Sequence, residues 1–148
     1  MFISTTGTIT VPDSSGIANL TGTVTHASGS KRVAGASSPV FTTELKPGDY
    51  ILAGTIVRQV EGTNTDAVLY VSRAYTTSAG PITAKRITPE YGFPTKITIK
   101  AIGGAITIST PTDDNVSLAS GSSLVLEDVK GVPPVVIVTG GNLTEVSY

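Results

Sequence analysis

Lys96-Ile97-Thr98-Ile99-Lys100-Ala101-Ile102, then Gly103-Gly104, then Ala105-Ile106-Thr107-Ile108-Ser109, is the stretch that decides the fold class. Apolar and polar residues alternate with the period of two that sends successive side chains to opposite faces of a strand. Ile97, Ile99, Ile106 and Ile108 then share the buried faces, with Thr, Lys and Ser outward. A Gly-Gly pair accepts positive φ at both central positions, so the spacing predicts a two-residue hairpin. Gly140-Gly141, between strand-like runs at 135–139 and 143–148, predicts a second.

Working outward, similar short runs recur between Gly, Pro, Asn, Asp and Ser punctuation, the spacing of an all-β sandwich or barrel. Val, Ile and Thr supply 52 of the 148 residues, a β-rich usage. The single helical candidate is 39–46, where Phe41 and Leu45 lie four apart on one face. Ser37 or Ser38 is placed to cap it, and Pro47-Gly48 ends it. The expected role of this turn is a plug, Phe41 and Leu45, closing one end of a small barrel. Two prolines and a glycine in Thr88-Pro89-Glu90-Tyr91-Gly92-Phe93-Pro94 mark a boundary. The fold expected is therefore all-β, two small β-barrel or β-sandwich modules with at most one short helical turn. A barrel module spans 17–88, a linker 89–94 and a second β module 95–148. Residues 1–16, ending in Pro12-Asp13-Ser14-Ser15-Gly16, form a separate N-terminal strand or arm.

Charge and composition narrow the function. Lys+Arg is 10 and Asp+Glu 11, a net charge of -1, and charged residues are only 14%. Nucleic acid is an unsuitable partner, because phosphate binding needs clustered Lys and Arg. There is no cysteine, which excludes disulfides, thiolate metal sites and thiol nucleophiles. One histidine excludes a multi-histidine metal site. No apolar run reaches the ~18 residues of a membrane span. The start, MFISTTGTIT, lacks the basic region and apolar run of a signal peptide. Low charge with a mean hydropathy of +0.22 favours association, which suggests an oligomer or lattice component.

Residues that carry chemistry are sparse and scattered. His26 reads as a surface or turn histidine. Asp113-Asp114-Asn115 lacks the spacing and distal Glu of a calcium loop and reads as a turn closed by its side chains. Tyr70 and Tyr75 have the rings a carbohydrate-binding module would use, but read first as core tyrosines with the hydroxyl at the rim. No catalytic constellation, cofactor site or metal site is expected, and the chain is read as not an enzyme.

One ordered series is more specific. It runs Thr23-Val24-Thr25, Lys31-Arg32-Val33-Ala34-Gly35, Phe41-Thr42-Thr43-Glu44-Leu45-Lys46-Pro47-Gly48-Asp49-Tyr50-Ile51, Ile56-Val57-Arg58-Gln59-Val60, Thr65-Asp66-Ala67-Val68-Leu69-Tyr70-Val71 and Ala74-Tyr75. It resembles a small β-barrel module of tailed-bacteriophage virion proteins, over nearly half the chain. The loop Gly35-Ala36-Ser37-Ser38-Pro39 departs from the Thr/Gly-rich loop of that pattern. Ile51, Val57, Val60, Leu69 and Val71 are the candidate interior residues. The resemblance implies a virion structural protein made in the host cytoplasm, first of all a capsid decoration (cement) protein stabilising the assembled head. A tail, neck or fibre component is the alternative. Its partners would be the major capsid protein or other virion proteins, with a homo-oligomer expected and a trimer the first guess. The arm, through Phe2, Ile3, Ile9 and Val11, would add a strand to a neighbour's sheet edge.

Overall fold

The computed structural model describes residues 2–5, 8–11, 17–88 and 93–148, with the backbone alone over 2–5. The chain is all-β, and it divides into a unit Ser15–Thr88 and a unit formed by Met1–Ser14 with Pro89–Tyr148. Among the described residues, no helix is long and apolar enough to cross a membrane.

The unit Ser15–Thr88 is a closed barrel. β3 (Ile17–Asn19) and β4 (Thr23–His26) are halves of one bent strand, as are β9 (Ala79–Ile82) and β10 (Ala84–Ile87). β3 pairs with β10, the Leu20 N–H donates to the Ala84 carbonyl at 2.9 Å, and β4 pairs with β9. The two bent strands therefore run side by side. Beyond them lie β5 (Arg32–Ala36), β8 (Val68–Val71), β7 (Ile56–Thr65) and β6 (Tyr50–Ala53), which returns to β10. Counting each bent strand once, six antiparallel strands close into a ring whose order is of Greek-key type. Closure leaves no unpaired edge in the ring, and a barrel this small is filled by its own side chains. Val24, Val33, Ile51, Ile56, Leu69 and Val71 are part of that filling.

The expected interior needs one exchange. Ile51, Val60, Leu69 and Val71 belong to the barrel core. Val57 is fully buried as expected, but on the face of β7 opposite to the barrel core, because strand alternation sets Ile56, Arg58 and Val60 inward together.

The second unit is two four-stranded sheets around one core. The first sheet runs β1 (Phe2–Thr5), β16 (Leu143–Ser147), β11 (Lys96–Ile102), β14 (Ser123–Glu127). The second runs β13 (Val116–Leu118), β12 (Ile106–Ser109), β15 (Val135–Val138), β2 (Ile9–Val11). Ile97, Ile99 and Val146 from the first meet Ile106, Ile108 and Ile137 from the second.

Two expectations are corrected here. Neither Gly-Gly turn is a hairpin. β11 and β12 belong to different sheets, as do β15 and β16, so each turn arches from one sheet to the other. Gly103 has φ +75, while Gly104 is not in the left-handed region that a two-residue hairpin of this kind requires. A Cβ on Gly104 would lie 2.3 Å from Asn142, whose Nδ2 donates to the Ala105 carbonyl at 2.9 Å. The two arches are thus pinned together.

Nor is there a free N-terminal arm. Phe2 and Ile3 pair through their backbones with Ser147 and Val146, and Ile9 and Val11 pair with Ile137 and Val135. Ile9 is 8% exposed and Val11 fully buried. Both are core residues of the sandwich, and β1 and β2 each supply an edge strand to one of its two sheets. Residues 12–16 and 89–92, including most of the expected linker, lie outside the described residues.

Candidate functional site

The ordered series from the sequence comes together at one end of the barrel. Phe41–Glu44 forms a single helical turn, α1, and Phe41 and Leu45 are 0% and 2% exposed within the barrel core. No side chain of its own neighbourhood caps it. Ser37 and Ser38, the expected caps, instead adopt left-handed φ of 60° and 61°. The cap comes from 24 residues away: Asp66 accepts through Oδ1 from the Thr42 N–H at 3.2 Å and from the Thr42 hydroxyl. Phe41 N–H donates to the Asp66 carbonyl at 3.2 Å. An acceptor at the first turn satisfies donors that the helix itself cannot.

Asp49 does the equivalent work after the turn. Its Oδ2 accepts from the Lys46 N–H at 2.9 Å and its Oδ1 from the Thr88 hydroxyl at 3.2 Å. Glu44 accepts from the Thr21 N–H and hydroxyl, and Arg86 Nη1 donates to the Glu44 carbonyl at 2.9 Å. Each of these carboxylates is engaged in holding the plug.

Gly35 explains the glycine of the Val33-Ala34-Gly35 segment. A Cβ there would stand 2.8 Å from Phe41 Cζ and 2.8 Å from Pro39 Cβ. Phe41 is fully buried, so its ring has no room to withdraw. Gly35→Ala is expected to destabilise the barrel by about 1–3 kcal/mol through overpacking, read as a lowered thermal midpoint. An unchanged midpoint would mean the plug is not seated under Gly35.

The opposite end is closed by the segment 72–78, and here the sequence reading missed the central residue. Arg58 is fully buried inside the barrel. Its Nε donates to the Arg73 carbonyl at 3.1 Å, Nη1 to its neighbour Val57 at 3.0 Å and Nη2 to Ala74 at 3.2 Å. The guanidinium carbon lies 5.0 Å from the centroid of the Tyr75 ring. Tyr75 is also stacked on His26, with centroids 3.7 Å apart and planes 12° apart. His26 Nδ1 donates to the Thr77 carbonyl at 3.0 Å. Tyr75 N–H donates to Ser30 and its carbonyl accepts from Gly29.

His26 is therefore an interior residue, 3% exposed, not the surface histidine expected. Strand alternation with the buried Val24 places it there. Tyr75 is 1% exposed and Tyr70 37%, so the two rings do not form a common open platform for a sugar.

Asp113-Asp114-Asn115 is a turn. Thr110 and Asp113 exchange backbone hydrogen bonds at 2.8 and 3.3 Å, and Ser109 and Asn115 are joined through their side chains at 3.2 Å. Among the described residues no group of three or more His, Cys, Asp or Glu is placed to hold a metal ion.

No protein-family model, curated protein or solved structure matched the chain.

Proposed function

We propose that the chain is a structural protein of a tailed-phage particle, a decoration protein that binds assembled capsid subunits and stabilises the head. The observation that carries this reading is the barrel end at Phe41. The residues of the virion-module pattern, from Gly35 through Asp66, meet there as parts of one plug with its two carboxylate caps. The pattern thus corresponds to a working piece of architecture. The chemistry-bearing side chains support a role through surface contact. His26, Glu44, Asp49, Arg58 and Asp66 are each engaged in holding loops and turns.

Such a protein acts by many weak contacts. Copies set on a fixed lattice gain avidity, so each contact can be modest. The test is reconstitution: heads stripped of the chain are mixed with purified protein and sedimented. The proposal expects the chain to pellet with heads to saturation and to raise their resistance to heat. Failure to pellet with heads removes the decoration reading, and pelleting with tails alone replaces it with the tail-component reading.

A further inference from the structure

We propose that β14 is a self-pairing edge, through which two copies of this chain join antiparallel about a two-fold axis at Val125. β14 ends its sheet and pairs with β11 alone among the described residues. Its register with β11 is unbroken from Lys96–Glu127 to Lys100–Ser123. It carries no proline, and its one charge sits at its end, so it lacks the usual protections of an exposed edge.

The register says which backbone groups are free. In an antiparallel ladder, alternate residues turn their N–H and C=O toward the partner. Asp128 donates to the Thr95 carbonyl at 3.0 Å, so Leu126 and Leu124 share that direction. Ser123, Val125 and Glu127 therefore turn their backbone groups to the open side. A two-fold axis through Ser123, Val125 or Glu127 sets that residue in a hydrogen-bonded pair with its copy, while an axis through Leu124 or Leu126 makes a non-hydrogen-bonded self-pair and matches only three of the five residues of each strand. At Glu127 it sets two like carboxylates opposite each other, which is unfavourable. At Ser123 it leaves all the other residues of each strand without a partner in the opposing strand. At Val125 the whole strand is matched, and Ser123 faces Glu127, Leu124 faces Leu126 and Val125 faces its own copy.

Charge agrees with that choice. The charged end, Glu127, Asp128 and Lys130, falls opposite the uncharged Ser120–Ser123 stretch of the second copy. Val125 is 50% exposed, and this is the arrangement in which it meets an apolar residue of the opposing β14. The interface is isologous, so it makes dimers and cannot by itself close a trimer. One strand pair buries less than a standard stable interface, so the dimer is a weak one that forms at high concentration or among copies held close together.

The absence of cysteine makes the test clean. Facing residues in an antiparallel pair lie within the span of a disulfide. Val125→Cys is expected to form a cross-linked dimer under mild oxidation about tenfold or more faster than Val129→Cys, since paired residues have a high effective concentration. Val129 is the more exposed of the two, at 94%, but stands far from its copy across the axis. In sedimentation equilibrium the unsubstituted chain is expected to dimerise at high concentration and Val125→Lys to remain monomeric. Cross-linking of Val125→Cys no faster than of Val129→Cys overturns the proposal, as does a trimer, or a dimer that survives Val125→Lys. The cysteine comparison decides the matter should the lysine variant fail to fold. Loss of the head-binding reading leaves this pairing untouched, because no particle enters the test.

Discussion

Val11→Asp is expected to unfold the sandwich while leaving the barrel intact. Val11 is fully buried between Val135, its strand partner, and the rest of the second core. The substitution removes a valine side chain worth about 1.5–3 kcal/mol of burial. It also buries a carboxylate among aliphatic groups, which costs several kcal/mol more or forces the group to take up a proton. Together this exceeds ~4 kcal/mol, a large share of the 5–15 kcal/mol typical of a whole domain. Amide hydrogen exchange separates the two units. Protection at Ile97, Ile99 and Val146 is expected to collapse, while Ile51 and Leu69 keep theirs. Deleting residues 1–11 is expected to act in the same direction. Retained protection at Ile97 and Val146 would restore the detachable arm that the sequence suggested.

The second large effect is expected at Arg58. Arg58→Ala leaves a cavity inside the barrel and removes the donors from the carbonyls of Val57, Arg73 and Ala74. Each buried acceptor left unmatched costs about 1–3 kcal/mol, and the lost stem adds a cavity cost. A total loss of about 3–5 kcal/mol follows, the range seen when one side of a buried charged contact is deleted. Arg58→Met fills the space without the donors and is expected to fall between Ala and the parent. Arg58→Lys keeps a charge but has no planar fork to reach three carbonyls, so it too is expected to lose stability. Denaturant unfolding of the three variants checks the order. If Met matches the parent, the hydrogen bonds to segment 72–78 contribute nothing.

Arg58 also marks a limit on what the sequence discloses. In Ile56-Val57-Arg58-Gln59-Val60 the apolar residues lie on both faces, so the expected interior takes Val57 and Val60 together, and the charge of Arg58 gives no reason to place it inside. The strand in fact turns Arg58 inward, since the loop after β8 supplies carbonyls there. Those carbonyls come from residues 73 and 74, and nothing local announces them. The same non-locality hid the cap of α1: Ser37 and Ser38 were near in sequence, while Asp66 was near in space. The plug itself was legible, because Phe41 and Leu45 need only a spacing of four and a following Pro-Gly.

In the sandwich, alternation correctly marked Ile97, Ile99, Ile106 and Ile108 as buried. It could not say whether Gly103-Gly104 folds one strand back beside the other or carries it across to the facing sheet. Both geometries bury the same side chains. The choice is made by partners distant in sequence, β16 for β11 and β15 for β12. The same applies to residues 2–11, whose alternation suits a donated strand and an internal one equally. Here the partners are β16 and β15 of the same chain.

The proposed function places the protein's outer surfaces against a phage head, with the polar side chains of the barrel engaged in its own fold. The decisive measurement is mass spectrometry of purified particles from the genome that encodes the chain, after heads and tails are separated. Many copies on each head, in fixed proportion to the capsid subunit, and none on the tail are expected. Absence of the chain from both fractions would overturn the proposed function.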